Sequence, residues 1–314
     1  MRAVSEFVCT ADKVELVTLT QLPGLLLIRA STHEARSEET DNPIFALSDV
    51  WDLDNEQSNE DTIVFDTNGG KLTFHLRSAS SKTNFFGVLD GRAVVIDITG
   101  FDHAHWAWLV RAALESTAKS VAALYVEPEK YAFSDSPIGG EFFDLSERIR
   151  GINPLPGFAT IRQRRDAFVF VLLLGFEGSR FTYMIEQVQP NQTLTYPVIG
   201  VPGFQLDFPF FTIQGNRRAL LKEEGLWGNR RFARANCPGS IYALLREIRA
   251  EHGDKVMKIA PIGTKPHALG AVLFKIHNED SVDLIYDHPI RKPGRTLGAS
   301  NALLYNLTPY RSRP

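Results

Sequence analysis

Short, nearly unbroken apolar runs recur along the chain, and from residue 91 they alternate with stretches of helical periodicity. RAVVIDITG, VAALYVEP, AFVFVLLLG, TLTYPVIGVPG, KVMKIAPIG and VDLIYDHP read as strands buried on both faces. Between them, HAHWAWLVRAALES places Trp106, Leu109, Val110 and Leu114 on one helical face. SRFTYMIEQV, NRRALLKEEG and the run opening at GTKPHALG also read as helices. PGSIYALLREIRAEHG adds Pro at its start and Gly at its end, the expected polarity of those residues. Alternating apolar strands and helices predict an α/β fold, a Rossmann-like, mostly parallel sheet with helices on both faces.

Residues 1–90 follow a different rhythm. The apolar runs VELVTL and GLLLIRA precede an acidic stretch, SDVWDLDNEQSNEDT. TIVFDTNGGKLTFHL then sets Asn68-Gly69-Gly70 between two alternating segments, a β-hairpin signal. The segments 31–42 and 78–84 read as solvated loops. The expected organisation is a strand-rich region, 1–90, preceding a ligand-binding α/β domain, 91–314.

Composition narrows the function classes. The chain of 314 residues is 44% hydrophobic and 23% charged, the profile of an ordinary globular protein. A formal charge of −3 gives no overall pull toward nucleic acid. Cys9 and Cys237 are too few for a disulfide framework or a cysteine-based zinc site. No apolar stretch approaches the roughly 18 residues of a membrane helix, and the N-terminus lacks the apolar run of a signal peptide. The expected location is the cytoplasm.

In open parallel sheets ligands bind outside the carboxyl ends of the strands. The residues that follow the apolar runs are therefore the candidates. The opening of the last helix, Gly263-Thr264-Lys265-Pro266, sets a lysine where the helix dipole favours negative charge. A bound anion held by backbone N–H groups, Thr264 and Lys265 accounts for it; an ordinary helix start capped by Thr264 accounts for the same residues. Gly175 and Gly178 frame a Gly-x-x-Gly turn around Glu177, which is suited either to orient a sugar or base or to stabilise a helix start. Asp97, within a β-branched run and followed by Thr99, is a carboxylate that needs a partner if buried. Glu127 follows another strand, where it suits either reaching over a ligand or a solvated loop rim. Asp97 and Glu177 are the candidate acid–base pair, with both carboxylates expected at one sheet edge beside Lys265. His103 and His105, two apart on a helix, do not suit one metal. The arginine clusters at 162–165, 216–218 and 229–234 suit phosphates or solvent. No Walker A loop, G-x-G-x-x-G fingerprint, G-x-S-x-G elbow or H-E-x-x-H helix occurs, so no motif names a cofactor.

On LLLGFEG, VIGVPG and IAPIGTKPHALG, the region 91–290 resembles the Rossmann-like nucleotide-sensing domains of the CRISPR-associated Rossmann fold type, found in bacterial antiviral defence loci. The resemblance implies a cyclic-oligoadenylate or related nucleotide ligand at the strand ends, a homodimer, and an attached effector or defence-complex partner. No nuclease, protease or DNA-binding module is recognisable in the chain. Three readings follow: a binding protein for a phosphorylated small molecule or nucleotide, a hydrolase or transferase acting on such a compound, and a structural subunit of a larger complex.

Overall fold

The computed structural model describes residues 12–13, 24–31, 35–37, 49–133, 143–160, 167–222 and 224–311. The apolar run VELVTL and the arginine cluster at 162–165 lie outside the described residues. Contacts divide the chain into two units, one of residues 9–130 with 296–314, the other of residues 1–8 with 131–295. A boundary at residue 90 is therefore not where the chain divides.

In the first of these units, β1 (Asp12–Lys13), β2 (Leu25–Arg29), β3 (Val50–Leu53), β4 (Thr62–Thr67), β5 (Gly70–His75), β6 (Ala93–Asp97), β7 (Ser120–Tyr131) and β15 (Thr296–Asn306) form one sheet in the order β1-β15-β7-β6-β2-β3-β4-β5. Its centre is parallel: β2 pairs with both β3 and β6, and β6 with β7. The predicted hairpin is present, with β4 antiparallel to β5 and Thr67 opposite Gly70. The strand-rich beginning of the chain is thus the same sheet as β6, joined by pairings that local pattern does not reveal.

Among the described residues of this unit the α-helices are α1 (Ala79–Leu89) and α2 (His103–Glu115). The segment 78–84, expected as a loop, begins α1. Ser78 is its N-cap and accepts from the Ser81 N–H, so the serines that read as solvated are a helix start. Phe85 from α1 and Trp108 from α2 pack at 5.2 Å, and Trp51, Phe65 and Phe74 extend the aromatic core. Each such burial contributes roughly 1.5–3 kcal/mol.

The second unit is built on β9 (Phe168–Leu173), α3 (Gly178–Val188), β10 (Thr195–Gly200), α4 (Phe208–Lys222), α5 (Glu224–Gly228), β11 (Arg231–Ala233), α6 (Pro238–His252), β12 (Val256–Ala260), α7 (Lys265–Ile276) and β13 (Val282–Leu284). The five strands of its main sheet are all parallel, in the order β11-β10-β9-β12-β13. The chain leaves β9 toward β10 and β11, then returns past β9 to β12 and β13. Right-handed crossovers then place α3, α4 and α5 on one face and α6 and α7 on the other. In agreement, α3 packs on α4 and α6 packs on α7. Phe170, Leu172, Ile199 and Ala260 from the strands and Ile262 just beyond β12 form the core with Phe181, Met184 and Leu220 from the helices. A small antiparallel ribbon, β8 (Ser146–Ile149) with β14 (Pro289–Arg291), completes the unit.

The helix expected from residue 216 begins eight residues earlier at Phe208, where a run of phenylalanines disguised the helical period. The apolar runs near 93–98, 168–174, 194–199 and 256–260 read as parallel neighbours in one sheet. The last three are parallel neighbours, but β6 lies in the other unit's sheet. Among the described residues no helix is long and apolar enough to cross a membrane.

The close seating of α6 on α7 depends on Gly270, because a Cβ there would lie 2.4 Å from the Pro238 carbonyl oxygen. Backbone on the far side cannot rotate away. Gly270→Ala is expected to destabilise the protein by about 1–3 kcal/mol, the usual cost of overpacking. A urea-unfolding midpoint unchanged from the parent would contradict that packing.

Candidate functional site

The order β11-β10-β9-β12-β13 has its switch point between β9 and β12, where the crossovers depart in opposite directions and leave a crevice beyond the strand ends. Apolar strand sequence ends at the same level on both sides. β9 passes through Leu174, Gly175, Phe176 and Glu177 into α3, and β12 passes through Ile262, Gly263 and Thr264 into α7. The crevice is a pocket of about 640 Å³, part of it open to solvent, and all six of Leu174, Gly175, Phe176, Glu177, Gly263 and Thr264 line it.

Glycine is required where the two turns meet. A Cβ on Gly263 would stand 2.5 Å from the Leu174 carbonyl oxygen, and one on Gly175 would stand 2.9 Å from that of Ile262. These residues let neighbouring backbones close up, so their first role is packing of the pocket floor. Gly178 is buried as the first residue of α3.

Thr264 is the N-cap of α7, accepting from the His267 N–H at 3.3 Å and donating its own proton to the Ala235 carbonyl at 2.8 Å. His267 donates from Nε2 to the neighbouring Arg234 carbonyl at 2.9 Å. Together they fasten α7 to the loop after β11, which contributes Ala235 to the pocket wall. Burial pushes the His267 imidazole down to about 4, against the smaller opposing pull of the Arg234 and Ala233 carbonyls.

Glu177 is buried at the N-terminus of α3 but makes no side-chain capping bond. Oε1 accepts from the Leu145 N–H and Oε2 from the Ser146 hydroxyl, both at 2.9 Å. Its carboxylate thereby holds the chain entering β8 against the pocket. One turn further on, Arg180 donates from Nε and Nη2 to both oxygens of Asp287, at 2.7 and 2.6 Å, and from Nη1 to the Ile262 carbonyl at 3.0 Å. Burial disfavours the charge on Arg180, but the fully buried Asp287 carboxylate outweighs it and holds the guanidinium well above its ordinary value. Bidentate, charge-assisted geometry of this kind is what makes a buried pair tolerable.

The remaining wall is aromatic and basic. Phe176 meets Tyr131 and Phe208 edge-on, at 5.1 and 5.3 Å, and all three line the pocket with Phe204 and Arg295.

Of the residues expected at a site, the structure brings together Gly175, Glu177, Gly263 and Thr264. Lys265 is buried at the first position of α7 and is not among the pocket-lining residues. Asp97, Thr99 and Glu127 belong to the other unit. There the Asp97 Oδ1 accepts from the Thr99 N–H at 2.9 Å, Thr99 Oγ1 accepts from the Val126 N–H at 2.9 Å, and Glu127 accepts from Asn301 at 3.0 Å. The idea that Asp97 and Glu177 project from one sheet edge fails, because their strands belong to different sheets. Arg180, Asp287 and the aromatic wall are the parts that pattern reading missed or left unassigned. An arginine in the first turn of α3, at odds with the helix dipole just as Lys265 is, was the available signal for Arg180.

No protein-family model and no curated protein matches the chain. Function has to be read from the site itself.

Two outcomes follow from the buried charges. Asp287→Ala leaves Arg180 buried without its carboxylate, and a loss of about 3–5 kcal/mol is expected in chemical unfolding; a loss below 1 kcal/mol would show that water replaces the pair. For His267, the unfolded chain takes up its proton near 6.5 and the folded protein only near 4. Between those values the unfolded state binds more protons, so stability falls as pH drops from about 6.5 toward 4, by about 3 kcal/mol in all. His267→Gln should flatten that part of a melting-temperature-against-pH curve. An undiminished slope in the variant would assign the acid sensitivity to other groups.

Proposed function

We propose that the unit of residues 131–295 binds a phosphorylated small molecule of the nucleotide class, in the pocket at the C-terminal ends of β9, β10 and β12. The observation that carries this reading is the position of the pocket at the switch point of a parallel sheet, with α3 and α7 both starting on its rim. Helix N-termini favour anions. Arg180 is held by Asp287, and Arg295 is a second guanidinium on the wall, of the chemistry that suits phosphate. Tyr131, Phe176, Phe204 and Phe208 supply rings against which a base can lie.

Binding is favoured over turnover by the make-up of the lining. It contains no cysteine, serine or histidine among the described residues. The hydroxyls of Thr212 and Thr264 are spent on the Phe208 and Ala235 carbonyls. Nothing there forms the nucleophile–base pair of covalent catalysis.

Calorimetric titration of the full chain with nucleosides and their 5′-mono- and triphosphates tests this reading. Phosphorylated forms should bind more tightly than the bare nucleosides. Arg295→Ala should weaken the phosphorylated forms about ten- to a hundredfold, the worth of one charge-assisted hydrogen bond, and leave the nucleosides unchanged. Absence of heat with every nucleotide at millimolar concentration would contradict the proposal.

A further inference from the structure

We infer that the base of this nucleotide is guanine, read along its Watson–Crick edge by Glu177; the inference rests on the nucleotide reading above. Glu177 is the one carboxylate among the described pocket-lining residues, and it is 8% exposed. Its two oxygens receive one protein donor each, from Leu145 and Ser146, whereas an ionised carboxylate offers about four acceptor positions. Arg180 does not fill the rest, because Nη1 stands 3.9 Å from Oε2 and its N–H groups point to Asp287 and Ile262. A buried carboxylate gains from further donors and is penalised by facing acceptors. A ligand that displaces water from this carboxylate has to bring donors in its place.

Phe176 and Glu177 both line the pocket, so a base lying against the aromatic wall can present its edge to the carboxylate. The four common bases then differ sharply. Guanine offers two neighbouring donors, N1–H and the 2-amino group, which match two carboxylate oxygens. Adenine and cytosine set a ring-nitrogen acceptor beside their amino group. Uracil flanks a single N–H with two carbonyls. An acceptor-only group tolerates the first and opposes the others.

Calorimetric titration of the full chain with GMP, IMP, AMP, CMP and UMP decides the matter. GMP should bind most tightly. IMP lacks the 2-amino donor and should bind about tenfold more weakly, with AMP, CMP and UMP about a hundredfold weaker than GMP. Glu177→Gln keeps an acceptor for the Leu145 N–H and can donate to the Ser146 hydroxyl, so the pocket wall is retained while the guanine preference is lost. Equal affinity for the five nucleotides, or a GMP preference that survives in the variant, overturns the guanine assignment but leaves nucleotide binding standing. If none of the five binds, the nucleotide reading itself falls and the guanine assignment with it. Should the variant fail to fold, as its melting curve would show, the wild-type ranking alone decides: any nucleotide tighter than GMP overturns the inference.

Discussion

A single buried guanidinium pins the strand ends of the unit that carries the pocket. Arg180, in the first turn of the helix after β9, grips the Ile262 carbonyl beyond β12 and the Asp287 carboxylate beyond β13. Three segments that sequence keeps far apart are fixed at one level. Burying the two ions costs several kcal/mol each, and bidentate geometry offsets much of it. Glu177 extends the same arrangement to the chain entering β8. The result is a pocket whose walls are held by hydrogen bonds within the protein, which for the proposed ligand would lower the ordering cost of binding. Specificity can then reside in a few fixed groups.

The glycines make the same point from the backbone side. Gly175 and Gly263 allow the turns after β9 and β12 to touch, so the floor of the pocket is main chain. A residue with a side chain at either place would wedge the crevice open at the switch point. Packing and ligand access are therefore one requirement at these positions, and the glycines need not contact a ligand to be indispensable to its site.

Much of this unit was legible in the sequence because its strands are buried on both faces and read as unbroken apolar runs. Gly175, Glu177, Gly263 and Thr264 stood out as the small or polar residues that end such runs, and they do line the pocket. The same signal misled at Asp97, Thr99 and Glu127. Ending an apolar strand marks a residue as lying at a sheet edge, but does not say which sheet. That depends on long-range pairing, here β2 with β6 and β6 with β7. The acidic run and the hairpin made residues 1–90 look separate for the same reason. Lys265 was singled out by its conflict with the helix dipole, and it is buried at the helix start without lining the pocket. Arg180 shows the same conflict, but its explanation, Asp287, lies 107 residues away and is not legible in local pattern.

The central claim is that a phosphorylated ligand sits at the switch point between β9 and β12. Amide hydrogen–deuterium exchange of the full chain, with and without a saturating nucleotide, tests it most directly. The account predicts slower exchange in the segments 174–181, 201–208 and 261–268, which carry the turns and helix starts around the pocket. Protection confined to the segments around Asp97 and Glu127, with none at 174–181 or 261–268, would contradict it.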